Sequence, residues 1–246
     1  MPGERKVAII LGSGLFDLYR NDVGLKASVD TRYGAGEAQE LSTNAYLLLR
    51  HGPGHSIPPH LINYRANVEA LHKLGVQSVI ASAAVGAINP RIRVGTYVVL
   101  DQFIDETKAR VSTFYTEPGE QFSHVDMTHP YSERVRRALI GALRKNRITR
   151  FRSSGTYVCT EGPRFETPAE IKMYGRAGGE VVGMTGVPEV CLAKEMGMEY
   201  GTLAFVTNMA AGLQKKVSQE EVSDAMSKTQ AKTKAVLDCA IGELAK

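Results

Sequence analysis

Short apolar runs alternate with amphipathic stretches along nearly the whole chain. Lys6–Leu11 (KVAIIL) is apolar and β-branched, ends at Gly12-Ser13-Gly14, and predicts a buried strand. Ala45–Leu49 predicts a second strand. Over residues 63–74, Val68, Leu71 and Leu74 recur at helical spacing, and Gly75 stops the pattern. Residues 76–84, followed by Gly86, predict another buried strand, as do residues 97–100 and Thr156–Thr160. Residues 131–145 predict an amphipathic helix.

The second half of the chain carries clearer punctuation. Thr167 predicts an N-cap, with Pro168 in the first helical position and Glu170 completing a capping box. A strand over 180–184 and a helix over 188–196, closed by Gly197, come next. A strand over 200–207 follows. The last helix starts from Ser218, with Glu221 as capping-box partner and an apolar stripe of Val222, Ala225, Met226, Val236, Leu237, Ala240, Ile241 and Leu244. Buried strands alternating with helices predict an α/β fold with a largely parallel or mixed sheet. With no linker and no internal repeat, residues 1–246 read as one domain. The least regular stretch is 105–129, around Pro118-Gly119, and it predicts a long loop of the kind that serves a site or an interface.

At 246 residues and 43% hydrophobic content, the chain can bury a core without disulfides or a metal. The net charge of +4 is mild, and the basic groups at 134–137 and 144–152 read as a solvated helix face and the loop after it. That spread argues against a nucleic-acid binder, which clusters Lys and Arg on one face. Cys159, Cys191 and Cys239 are odd in number, far apart and without a C-x-x-C, so they predict reduced thiols that serve in packing. Residues 1–6 show no signal-peptide pattern, and no apolar run reaches the roughly 18 residues of a membrane span. A cytoplasmic protein with no membrane contact is expected.

Several strand ends carry candidate chemistry. Gly12-Ser13-Gly14 lets backbone N–H groups approach an anion, or serves as an ordinary strand-ending turn. A dinucleotide fingerprint needs a third glycine, and position 17 is Asp17; the phosphate-loop lysine is absent too. Arg50-His51-Gly52 offers donors for an oxyanion, or marks a surface turn. His51 and His55 have i, i+4 spacing, but Gly52, Pro53 and Gly54 forbid a helix between them, so no metal is expected. Ser82-Ala83-Ala84-Val85-Gly86 exposes main-chain amides or packs closely. Glu166 stands just before a helix, where the dipole favours a carboxylate whatever its function. Met184-Thr185-Gly186 and Thr207-Asn208 end two further strands. Polar residues gathered at strand ends predict a site on the carboxyl edge of an α/β sheet.

Taken in order, Leu11-Gly12-Ser13-Gly14-Leu15, Arg50-His51-Gly52, Asn63-Tyr64-Arg65-Ala66-Asn67, Glu161-Gly162-Pro163-Arg164-Phe165-Glu166-Thr167 and Met184-Thr185-Gly186-Val187-Pro188-Glu189 form a specific set. Through them the chain resembles the trimeric purine nucleoside and methylthioadenosine phosphorylases, the methylthioadenosine branch more than the classical one, from about Val7 to the last helix. The resemblance implies a single α/β domain with a mixed, partly barrel-like sheet flanked by helices, assembled as a homotrimer or dimer of trimers. It implies no cofactor, with inorganic phosphate as co-substrate. Ser13, Arg50, His51, the Ala83-Ala84 backbone and Thr185 would hold that phosphate. Met184 would pack against the ribose, Asn208 would meet the purine beside Met209 and Ala210, and His124 in the long loop would reach a neighbour's site.

The chain departs from its branch at two places. The aminopurine-specific members typically carry Asp-x-Asp where this chain has Asn208-Met209-Ala210, and Ser where it has Glu166. A 6-oxopurine presents an acceptor at position 6 and a donor at ring nitrogen 1. An amide and a carboxylate match that pattern. Inosine and guanosine are therefore the expected substrates, with Asn208, His51 and Arg50 in the catalytic roles. Gln219, at the start of the last helix, suits a 5′-hydroxyl, whereas Val222 and its apolar neighbours would suit a 5′-methylthio group. The alternatives are a methylthioinosine or methylthioadenosine phosphorylase and, in a different class, a non-catalytic nucleoside or phosphate sensor.

Overall fold

The first strand shows how the chain builds its centre. In the computed structural model, which describes residues 5–15 and 17–246, Lys6–Leu11 forms β1, and Val7 to Leu11 are all buried. Side chains alternate across a strand. Ala8 and Ile10 pack into one core cluster with Val68, Leu71 and Val190, while Val7, Ile9 and Leu11 pack into another with Val135, Leu139 and Leu237. A strand covered on both faces needs apolar residues throughout, which is why this run is so legible. The expectation for residues 1–6 falls mostly on residues 1–4, outside the described residues.

A hairpin that the apolar pattern did not predict follows, with β2 at Lys26–Thr31 and β3 at Gly34–Ser42. Its residues are largely polar and half-exposed at the sheet edge, so it lacks the signature of a buried strand. It lies on a helix: a Cβ at Gly36 would stand 2.4 Å from the Ala70 Cβ. The next elements are β4 (Ala45–Leu49), α1 (Tyr64–Lys73), β5 (Val76–Ala87), β6 (Tyr97–Val99) and β7 (Gln102–Glu106). α1 starts where the Asn63 side chain accepts from the Ala66 N–H at 3.1 Å. Then come α2 (Glu133–Lys145), β8 (Phe151–Arg152), β9 (Thr156–Thr160) and α3 (Pro168–Arg176). At α3 both halves of the Thr167–Glu170 capping box are present. β10 (Val181–Gly183), α4 (Gly186–Glu195) and β11 (Glu199–Met209) follow.

The chain ends in two helices rather than the expected one: α5 (Gln219–Ser227) and α6 (Gln230–Leu244). Thr229 stands at the break and is buried, its hydroxyl bonded to the Tyr97 hydroxyl, which also bonds Thr233 Oγ1 at 2.9 Å. Gln230 donates to the Gly14 carbonyl at 3.1 Å. These tertiary bonds hold the break, and no local signal marks it. The Ser218 hydroxyl accepts from the Glu221 N–H at 3.3 Å, but the Glu221 carboxylate turns to Gln214 at 2.7 Å, so this capping box is half formed.

Among the described residues eleven strands join one mixed sheet, flanked by the helices. β5 is its pivot. One edge pairs in parallel with β11 as far as Ala87. The other edge pairs with β1 only as far as Ala81, and with β10, antiparallel, only at Gly86 and Ala87. Between those pairings, residues 82–85 have no strand neighbour on that edge among the described residues. β1 has ended and β10 has not begun, and the backbone around Ala83 and Ala84 faces an opening.

Candidate active site

That opening is a cavity of about 380 Å³. It is lined by Gly12, Ser13, His51, His55, Ala83 to Gly86, Phe165, Glu166, Met184, Thr185, Thr207, Asn208, Ala210, Gln219 and Val222, among others. Residues from seven separate stretches of sequence therefore meet around the carboxyl ends of β1, β5, β10 and β11. This is the crevice position expected of an α/β sheet.

At one end the loop after β1 turns tightly against β5. The Gly12 N–H donates to Ser82 Oγ at 2.9 Å, and a Cβ at Gly12 would meet the Ser82 carbonyl oxygen at 2.9 Å. Ser13 Oγ bonds His55 Nε2 at 2.8 Å. The His55 ring stacks on His51, with centroids 4.1 Å apart and planes 20° from parallel. Gly52 and Gly54 take φ values of 67° and 63°, which folds the chain back through a single 3-10 turn at Pro53–His55 and brings the two imidazoles together without an α-helix. His51 Nδ1 donates to the Ile57 carbonyl at 2.8 Å. Burial, then the neighbouring Arg50 charge, pushes the His51 pKa down to about 3, so the ring is neutral.

Arg50 does not line the cavity. It is 1% exposed, and its Nε and Nη2 each lie 2.7 Å from a carboxylate oxygen of Glu189, while Nη1 donates to the Ser82 carbonyl at 3.0 Å. Burial, the largest single influence, would lower its pKa, but the Glu189 charge and hydrogen bonds together outweigh it and raise it. Its positive charge is thus matched by a fully buried carboxylate that Tyr200 also donates to, at 2.6 Å. The guanidinium braces Ser82 and, through it, Gly12.

Thr185 and the start of α4 are held from below by β9. The Tyr157 hydroxyl accepts from the Thr185 and Gly186 N–H groups at 3.1 and 3.3 Å, and Cys159 Sγ accepts from the Val187 N–H at 3.4 Å. These two side chains, two residues apart on one strand face, satisfy the free amides at the start of α4. Cβ atoms at Gly183 and Gly186 would lie 2.7 and 2.8 Å from the Tyr157 side chain, so the loop rests directly on that ring. Cys159 does more than pack, and burial holds its thiol up at about 11, unreactive.

The other end holds the carboxylate and the amide. Thr160 Oγ1 donates to Glu166 Oε1 at 2.7 Å, and burial holds the Glu166 carboxyl above its ordinary range. Thr207 Oγ1 donates to Asn208 Oδ1 at 2.7 Å, and Asn208 Nδ2 donates to the Met209 carbonyl at 2.9 Å. One amide hydrogen and one oxygen lone pair remain for the cavity. Adjacent strand residues ordinarily face opposite sides. Here the β5–β11 register shifts between Val206 and Asn208, and this irregularity lets Thr207 and Asn208 both line the cavity. Gly86 makes room: a Cβ there would stand 3.1 Å from Asn208 Nδ2.

The cavity gathers Ser13, His51, Ala83, Ala84, Thr185, Met184, Glu166, Asn208, Ala210 and Gln219. Arg50 stands behind it, and Met209 is turned from it, packed against the core. His124 lies in another surface depression, in the irregular stretch after β7, with its ring 5.4 Å from Phe122. The sequence marks Thr207 only as a polar strand end and His55 only as a possible metal ligand, and gives Phe165 and Glu189 no role of their own; the structure puts His55, Thr207 and Phe165 on the cavity wall and Glu189 behind it, on Arg50. Glu189 had a usable signal, a lone acid in the apolar run Val187-Pro188-Glu189-Val190, which demands a buried partner.

Comparison with known proteins gives the same frame. The phosphorylase superfamily model matches residues 6–241. The chain is 47% identical over 236 residues to a 6-oxopurine nucleoside phosphorylase of Pyrococcus furiosus, covering 91% of this chain and 87% of that protein. It is 41% identical over 246 residues to a probable S-methyl-5′-thioinosine phosphorylase of Methanothermobacter thermautotrophicus, covering 97% of this chain and 84% of that one. The methylthioadenosine phosphorylase of Schistosoma mansoni in complex with adenine superposes with a TM-score of 0.91 at 32% identity, covering 97% of this chain and 91% of that one. The chain belongs to the phosphorylase superfamily.

Proposed function

We propose that the protein cleaves 6-oxopurine nucleosides with inorganic phosphate, releasing the free base and ribose 1-phosphate, in purine salvage. One observation carries the choice of base: Glu166 and Asn208 line one cavity with Ser13 and Thr185. An amide hydrogen on Asn208 can donate to the 6-oxo oxygen, and the Glu166 carboxylate can accept from ring nitrogen 1. The relatives named for 6-oxopurine and thioinosine substrates support the same class of base.

Phosphate sits between the β1 loop and the start of α4, against Ser13, His51, Thr185 and the Ala83-Ala84 backbone. Arg50 acts from behind, by fixing Ser82 and Gly12. The glycosidic bond stretches first, and the phosphate charge stabilises the oxocarbenium-like sugar on one side. On the other, Asn208 stabilises the negative charge that builds on the departing base. This is preorganised electrostatic stabilisation, with no protein nucleophile and no cofactor required. Met184 packs against the ribose.

The 5′ end of the site is formed by Gln219, Val217 and Val222. Gln219 favours a 5′-hydroxyl, hence inosine or guanosine. The two valines support a second reading, S-methyl-5′-thioinosine. A homotrimeric, cytoplasmic enzyme belongs to the same proposal, with His124 serving a neighbour's site because it stands away from its own. Sedimentation velocity tests the assembly. Base release from inosine, guanosine, methylthioinosine and methylthioadenosine, each with and without phosphate, tests the function. Phosphate-dependent release of hypoxanthine or guanine is expected; preferential release of adenine would overturn the base assignment.

A further inference from the structure

We infer that His51 presents a hydrogen-bond acceptor to the oxyanion in the cavity, so that the site selects protonated oxyanions such as monohydrogen phosphate against sulfate. The inference rests on the phosphorolysis reading for the identity of the anion and adds what distinguishes it from its mimics.

A carbonyl oxygen can only accept. The 2.8 Å contact between His51 Nδ1 and the Ile57 carbonyl therefore places a hydrogen on Nδ1. A ring flip would set a carbon against that carbonyl and lose the bond, and the stack on His55, 4.1 Å away, holds the ring plane. The ring is 5% exposed and beside the Arg50 guanidinium, which opposes a second proton. Nε2 then carries a lone pair. Among the described residues no protein group donates to it, while His51 lines the cavity.

The charge nearby does not do the selecting. The Arg50 guanidinium is matched by Glu189, so an anion here meets hydroxyls, amides and one lone pair rather than a free cation. Phosphate near neutral pH always carries at least one P–OH group, which can donate to Nε2. Arsenate carries the same group. Sulfate carries none, and its oxygen would oppose the Nε2 lone pair in a desolvated place.

The test is calorimetric titration of the full-length protein, without nucleoside, with sodium phosphate, arsenate and sulfate at pH 7.5 and fixed ionic strength. Phosphate and arsenate should bind alike, and sulfate about tenfold or more weakly. Sulfate binding as tightly as phosphate would overturn this inference alone, while a failure to bind phosphate at all would overturn the phosphorolysis reading with it. His51→Gln can turn an amide N–H to the anion and should bring the sulfate-to-phosphate ratio toward one; an unchanged ratio counts against the idea. Nitrogen-15 spectra of the phosphate-saturated wild-type protein provide a check that needs no variant. They should show His51 neutral with its proton on Nδ1, and a doubly protonated ring would end the argument.

Discussion

Arg50 and Glu189 meet side-on, with two nitrogen–oxygen contacts of 2.7 Å, and their side chains are 1% and 0% exposed. The pair ties α4 to the end of β4 and leaves the guanidinium one further bond, to Ser82. Removing one member strands the other charge in the core. Glu189→Ala is expected to cost about 3–5 kcal/mol of stability, read from denaturant unfolding. A loss below about 1 kcal/mol would show that Arg50 finds another partner.

The amide–carboxylate pair makes a sharper claim about specificity. Asn208→Asp replaces the amide donor with an acceptor opposite the 6-oxo group. We expect kcat/KM for inosine to fall about ten- to hundredfold, and activity on methylthioadenosine or adenosine to rise. Unchanged inosine turnover, with no gain on aminopurines, would refute the way the base is read.

Tyr157 carries a prediction that separates phosphate from nucleoside. Tyr157→Phe keeps the ring beneath Gly183 and Gly186 but removes the acceptor for the Thr185 and Gly186 amides. The KM for phosphate should rise severalfold while the KM for nucleoside changes less. Melting should show a loss of about 1–3 kcal/mol from the two unpaired N–H groups. Equal changes in both KM values would point to a general loosening instead.

The neutral His51 ring sets a pH dependence. Its folded pKa, about 3, lies below the ordinary value of 6.5. Between those values the unfolded chain binds a proton that the folded one refuses, so stability falls as pH drops through that window. One such group contributes up to about 1.4 kcal/mol per pH unit, and nothing above pH 7. Wild type should therefore lose more stability than His51→Gln between pH 6.5 and 4.5. Parallel stability curves for the two proteins would contradict a buried, neutral ring.

Much of this molecule was legible before folding was considered. Residues 6–11 read as a strand because both of its faces are covered, and the Thr167–Glu170 cap read correctly because capping depends on neighbours three residues apart. The β2–β3 hairpin escaped because an edge strand needs no apolar run. The helix break at Thr229 escaped because its cause, the Tyr97 hydroxyl, is 132 residues away.

The site divides along the same line. Residue types alone determined that polar groups stand at strand ends and that Asn208 and Glu166 depart from an aminopurine pattern, since donors and acceptors belong to the side chains themselves. Only the tertiary structure decided which groups meet. It withdrew Arg50 behind the wall to neutralise Glu189, stacked His55 on His51, and used an irregularity in β11 to place Thr207 and Asn208 in one cavity. Hydrogen bonding and burial act through space, and here the partners lie up to 139 residues apart in the chain.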